Sequence, residues 1–155
     1  MPETSPDLPH VIAPPPLIYG VPLAAGLVLN HYRPWPALSA ELARIAGPVF
    51  VTLGFIGLPA LLAFLRAGTH PEPWRPATAL VLTGPYRLTR NPMYLGLALL
   101  YLGISLWVNT VWPLLALPLV LLVIHFGVVR REEAYLERRF GEQYRAYRAR
   151  VRRWI

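Results

Sequence analysis

A chain of 155 residues with 55% hydrophobic residues and a mean hydropathy of +0.41 is too apolar for an ordinary soluble domain and reads as an all-α integral membrane protein. Having no cysteine, it has no disulfide scaffold, thiolate metal site or Cys nucleophile, and its four histidines (His10, His31, His70, His125) lack metal-ligand spacing, so no metal is expected. All 15 basic residues are arginine against 8 acids, and nine of them fall from Arg130 onward, which directs that end toward an anionic surface.

The chain opens with MPETSPDLPHVIAPPP, where acids and prolines stand in place of the positive charge of a signal peptide, so residues 1–16 read as a loose cytoplasmic leader. Charge-free apolar runs follow at residues 17–29, 45–65, 93–108 and 111–129. A bilayer core takes about 20 helical residues. The second and fourth runs are long enough, the third is a little short and the first is marginal. Pro22 and the triple proline before it weaken the first further, with a re-entrant or interfacial segment as its alternative. Residues 17–65 then hold the first two of about four transmembrane helices. Gly47, Gly54, Gly57, Gly96 and Gly103 read as close-packing positions, and Pro118 would kink the last run.

Only Asn109 and Thr110 part the third and fourth runs, so residues 93–129 form a tight antiparallel hairpin whose free ends return to one side. The connector, residues 66–92, carries Arg66, Arg75, Arg87 and Arg90, and the tail, residues 130–155, carries nine more. The first loop holds only Arg33 and Arg44. By the positive-inside rule the connector, tail and leader lie in the cytoplasm, which four spans permit within a single membrane domain over residues 1–155.

The stretch LTGPYRLTRNPMYLGL, residues 82–97, runs a polar turn straight into the third apolar run. Gly84-Pro85 marks a turn, and Asn91-Pro92 starts a helix well, with Asn as N-cap and Pro at the first helical position. Capping leaves Tyr86, Arg87, Arg90 and Tyr94 unexplained. Two arginines ahead of a helix N-terminus favour a carboxylate or phosphate there, and tyrosine faces suit an adenine ring or a cation. The hairpin brings Glu132 and Glu133 to the same end. Neighbours on a helix point about 100° apart, so one of the two is expected to face the cluster. His125, seven residues before Glu132, falls on roughly the same face, as an interhelical hydrogen-bonding residue or a functional one.

The tail, RREEAYLERRFGEQYRAYRARVRRWI, sets Phe140, Tyr144, Tyr147, Val151 and Trp154 at spacings of four, three, four and three. This is one face of a basic amphipathic helix that lies among headgroups or closes over the hairpin, with Gly141 interrupting it near its start. A basic tail continuous with a membrane span is not expected to bind nucleic acid.

Taken together, GPYRLTRNPMYLG, a hydrophobic hairpin and EEAYLERRFGEQYRAYRARVRRWI resemble the integral-membrane methyltransferases that group isoprenylcysteine carboxyl methyltransferases with phospholipid methyltransferases. The resemblance covers about half of the chain, from near Gly68 to the end, and the first two spans carry no signature. Where the group usually has Arg-His-Pro-x-Tyr, this chain has Asn91 in RNPMY, which also looks like the phospholipid methyltransferase form but offers no imidazole.

The resemblance implies S-adenosylmethionine bound at the cytoplasmic end of the hairpin, with a lipophilic or membrane-dissolved acceptor (carboxylate, amine or thiol) arriving from the bilayer. It implies that Gly84, Tyr86, Arg90, Asn91, Pro92 and Tyr94 form the cofactor turn with Arg87 beside them. Glu132 and Glu133 match its acidic pair, and Tyr144 and Tyr147 its pocket-closing tail. Arg90 would pair with the methionine carboxylate and a Glu with its ammonium, while Glu133 or His125 would serve as base toward an amine. Arg90, Glu133 and His125 are therefore the catalytic candidates. Two other readings stay open: an NADPH-dependent membrane reductase, because sterol reductases share a similar C-terminal motif, and a non-catalytic scaffold whose Arg tail binds anionic lipid. Gly-rich spans are compatible with a monomer or a homodimer.

Overall fold

The computed structural model describes residues 8–155, and every regular element among them is helical. Helix α1 (Pro15–Tyr32) begins on Pro15, where the missing N–H is no loss, and carries Pro22 inside. Helix α2 (Ala40–Gly54) starts at Ser39, whose hydroxyl accepts the Leu42 N–H. The second apolar run is not one rod. It divides at Phe55 and Ile56 into α2 and α3 (Gly57–Arg66). Pro59 cannot donate to the Phe55 carbonyl, and the N–H groups of Phe55, Ile56 and Leu58 bond three residues back instead of four.

Helices α4 (Pro92–Trp107) and α5 (Val111–Ile124) are joined through Val108, Asn109 and Thr110. Asn109 takes φ 58, a left-handed conformation that Asn tolerates. Its side-chain oxygen accepts the Ala37 and Leu38 N–H groups, and its amide donates to the Leu38 carbonyl. One turn residue thereby ties down the loop after α1. Trp35 and Trp112 meet edge to face beside it, with the Trp112 indole donating to the Arg33 carbonyl. At the other end, α5 passes through five residues of π-helix, His125–Val129, into α6 (Arg130–Arg150). Gly141, at φ 50 and ψ −120, kinks α6 in a conformation that other residues enter only with strain.

Helices α2 and α4 approach to backbone contact. A Cβ on Gly103 would stand 2.5 Å from the Val51 nitrogen, and one on Gly96 would stand 2.8 Å from the Gly54 oxygen. Small residues are what permit this, because between lipid-exposed helices close packing replaces the hydrophobic drive. A second cluster joins α1, α4, α5 and the π segment through Tyr19, Tyr94, Tyr101, Val120, Ile124, Val128 and Val129. Its tyrosine hydroxyls are satisfied on carbonyls, Tyr19 on Tyr94 at 3.1 Å and Tyr101 on Pro113 at 2.8 Å.

Two helical stretches, Ala40–Arg66 and Val111–Arg150, are long and apolar enough to cross a membrane, and Pro92–Trp107 is a shorter apolar helix. Only 11% and 28% of their most apolar windows are buried, so these side chains point outward. Ile45, Leu53, Leu58, Leu65, Leu115 and Leu119 are all exposed. A soluble core helix would hide them, whereas a hydrocarbon surround accepts them. Residues 1–7 of the leader lie outside the described residues. Beyond them, Ile12 bonds to the Gly127 carbonyl of the π segment and Arg131 reaches the His10 carbonyl.

Candidate active site

The segment after α6 returns to the turn before α4 and pairs with it. The Arg90 N–H donates to the Arg152 carbonyl at 3.0 Å, while the Arg153 carbonyl accepts the Thr89 hydroxyl at 3.0 Å and the Asn91 amide at 2.9 Å. Asn91 stands at the N-cap position of α4, yet its side chain does not cap the helix. At φ −129 and ψ 50 the residue departs from the extended cap conformation, and its amide holds the tail instead.

This pairing delivers Arg153 to Glu133. The guanidinium grips the carboxylate in a fork, Nη2 to Oε2 at 2.7 Å and Nε to Oε1 at 3.0 Å, and the hydrogen bonding raises the Arg153 pKa. On its other side Glu133 lies 3.3 Å from Arg90 Nη2. Arg90 Nε and Nη1 are buried and have no hydrogen-bond partner. A buried guanidinium with two unused donors is suited to a planar anion.

Glu132 Oε2 accepts the Tyr94 hydroxyl at 2.8 Å. Loss of water around this carboxyl pushes its pKa up to about 7, with the Tyr94 bond opposing and Glu133 assisting. Both glutamates line one cavity, where a single one was expected. The 100° between them is met by two different elements, Tyr94 within α4 and Arg90 ahead of it. A carboxyl raised from 4.5 to about 7 binds its proton more tightly folded than unfolded, so it lowers stability as pH rises through that window. In micelles, the wild type is expected to lose more melting temperature between pH 5 and pH 8 than Glu132→Gln, which retains an acceptor for Tyr94. Identical pH dependence in thermal melts of the two proteins would contradict a raised Glu132 pKa.

Tyr86 sits on the 3-10 turn Gly84–Arg87, which Gly84 enters at φ 61. Its carbonyl accepts the Tyr147 hydroxyl at 2.7 Å, and its ring meets Phe64 edge to face. Burial raises Tyr86 and Tyr144 and pushes Tyr147 up to about 12, so all three are neutral near pH 7.

The cavity encloses about 780 Å³ of space between atoms, its open mouth included. Of the residues expected from sequence, Tyr86, Arg90, Asn91, Tyr94, Glu132, Glu133, Tyr144 and Tyr147 line it, whereas Gly84, Arg87, Pro92 and His125 do not. Arg87 is exposed on the turn, and Pro92 opens α4. His125 meets Phe126 edge to face and Trp154 at a tilt, with ring centroids 4.8 and 6.3 Å away. A π turn takes up about one residue more than an α turn, so seven residues no longer return to the same face.

Sequence reasoning overlooked Arg153, Tyr135 and Glu72. Arg153 was one of nine tail arginines with nothing to single it out. Tyr135 lines the cavity and its hydroxyl accepts the Ala77 N–H at 2.9 Å; its place three residues after Glu132 was a usable signal. Glu72 is the only acid between residues 66 and 92, which could also have marked it.

Beside the cavity runs an apolar groove walled by α2, α3 and α4, with Gly54, Leu58, Leu61, Leu97 and Leu100 among its lining. The two spaces share Pro71, Glu72, Pro73, Met93 and Tyr94.

The cavity, with the Arg90–Glu133–Arg153 cluster in and beside it, lies at one end of outward-apolar helices. Residues 44–143 match the phospholipid methyltransferase family, and the chain belongs to that family. It is 43% identical over 63 residues to an uncharacterized protein of Haemophilus influenzae, a stretch that makes up 41% of this chain and all of that protein. No solved structure matches the chain. Family and apolar helices together make this a membrane protein of methyltransferase type.

Proposed function

We propose that the chain is an S-adenosylmethionine-dependent methyltransferase acting at the cytoplasmic membrane face on a lipophilic or membrane-dissolved acceptor. The observation that carries this reading is the buried Arg90, with two free donors, in a cavity edged by Glu132 and tyrosines. When bound, S-adenosylmethionine supplies a methyl group activated on a positively charged sulfur. The residues present fit it. Arg90 Nε and Nη1 suit its carboxylate, and Glu132, held by Tyr94, suits its ammonium. The neutral rings of Tyr86, Tyr144 and Tyr147 suit adenine or the sulfonium. Glu133, occupied by two arginines, orients Arg90 in this reading. The groove takes the apolar part of the acceptor, and alignment with exclusion of water supplies most of the acceleration.

In the same reading α1, the α2–α3 pair, α4, and α5 with its π segment are four spans. Helices α4 and α5 form the antiparallel hairpin, with Tyr101 bonding Pro113 near one end and Tyr94 reaching Glu132 at the other. The arginine-rich connector and α6 lie in the cytoplasm, and Trp35, Trp107 and Trp112 anchor the opposite interface. The arrangement is compatible with a monomer or a homodimer.

Calorimetry on detergent-purified protein with S-adenosylmethionine, S-adenosylhomocysteine and NADPH tests the proposal. Micromolar binding of the adenosyl pair is expected, weakened by roughly 10–100-fold in Arg90→Ala, the scale of a charge-assisted hydrogen bond. Binding of NADPH alone would favour a reductase, and binding of none of the three a lipid-binding scaffold.

A further inference from the structure

Glu72 is the one carboxylate among the residues shared by the Arg90 cavity and the apolar groove. Its Oε2 is buried and accepts no hydrogen bond. Beside it is the His70 ring, whose Nδ1 lies 3.8 Å from that oxygen and 3.4 Å from Arg75 Nη1. The other two carboxylates of the cavity are engaged, Glu133 by Arg90 and Arg153 and Glu132 by Tyr94. A buried oxygen without a donor is available to a ligand's proton, and this one, on a side chain 35% exposed, stands where the apolar groove meets the cavity. Neither base expected from sequence is placed to take a proton from an acceptor, since Glu133 is clamped and His125 lies off the cavity.

We propose that Glu72 is the acceptor-side base, and that it selects acceptors carrying a removable proton on the nucleophilic atom, an ammonium or a thiol, over carboxylates. The inference rests on the methyltransferase reading and narrows it. The N–H or S–H bond of the acceptor breaks toward Glu72 Oε2, which becomes a carboxylic acid. The lone pair left on nitrogen or sulfur forms the bond to the methyl carbon, and the carbon–sulfonium bond breaks with its electrons retained by that sulfur. A carboxylate acceptor offers no proton near pH 7 and meets Glu72 as a like charge, so one side chain both assists the right acceptor and repels the wrong one.

The test uses dodecylamine, dodecanethiol and dodecanoate as membrane-dissolved probes, with binding measured on protein saturated with S-adenosylhomocysteine and transfer measured from methyl-labelled S-adenosylmethionine. On the wild type, dodecanoate is expected to bind at least about tenfold more weakly than the better of the other two and to receive no methyl. Glu72→Gln is expected to bind S-adenosylhomocysteine normally, to narrow that gap below about threefold, and to slow transfer by about 100-fold or more, the scale of general-base catalysis. Should Glu72→Gln fail to bind S-adenosylhomocysteine, Glu72→Asp takes its place, with preference retained and transfer reduced. Transfer to dodecanoate, transfer to neither other probe, or a Gln variant as fast as the wild type would each overturn the proposal. A wild type that binds no S-adenosylhomocysteine would instead overturn the methyltransferase reading itself.

Discussion

Glu133→Ala is expected to lower the stability of the folded protein by about 3 kcal/mol and to remove cofactor binding at the same time. The side chain is the shared acceptor of Arg90, itself 9% exposed, and Arg153, 35% exposed. Stripping a buried charge of its partner costs about 3–5 kcal/mol, and the low end applies because Arg153 has access to water. The loss spreads through the backbone, since Arg153 also anchors the tail on Thr89 and Asn91. Arg153→Ala should be milder, because Glu133 then keeps Arg90. Chemical unfolding in micelles, run as a double-mutant cycle over Glu133 and Arg153, reads the coupling directly. If Glu133→Ala stayed within about 1 kcal/mol of the wild type, the clamp would be no stronger than a surface ion pair and would not hold Arg90 in a fixed orientation.

The second large effect is expected at the α2–α4 contact. A methyl group at Gly103 would meet the Val51 nitrogen at 2.5 Å and the Phe50 carbonyl carbon at 2.9 Å. Backbone atoms cannot rotate aside as a side-chain tip does, so the helices must part. Overpacking costs typically about 1–3 kcal/mol, and Gly103→Leu should exceed that range. Gly96→Ala presses on the Gly54 oxygen and the Gly57 nitrogen, two positions from Tyr94, so it should also weaken S-adenosylhomocysteine binding. Gly20 is the control, with nothing within 4 Å of a Cβ placed there, and Gly20→Ala should be neutral or slightly stabilising. Thermal melts in which Gly103→Ala tracked Gly20→Ala would show that the helices are not held at contact distance.

Much of this was legible in the sequence because it rests on local rules. Apolar runs, the proline start of α4 and the glycine break in α6 each follow from one residue type in one place. The tail tyrosines were readable from helical spacing, and Tyr144 and Tyr147 do line the cavity. What escaped depends on long-range geometry. No pattern marks Arg153 among its neighbours, because its role comes from a chain segment folding back 62 residues to Asn91. His125 was misplaced because a helical wheel assumes a constant turn, and the π segment departs from it. Asn91 was read as a cap from a preference that holds on average, whereas here a tertiary contact competes for the same amide.

The π segment also separates two constraints that a uniform helix would bind together. In α5 the phase of the side chains is dictated by which of them meet other helices, with Val120 and Ile124 inward and Leu119 and Leu122 outward. In α6 the phase is dictated by where Glu132 and Glu133 must sit. The extra residue between His125 and Val129 works as a vernier between them, advancing the second half by about one residue's rotation. The membrane-facing rod can therefore drift in sequence to suit a different bilayer without re-aiming the carboxylates, so adaptation to lipid and adaptation to chemistry proceed on separate dials.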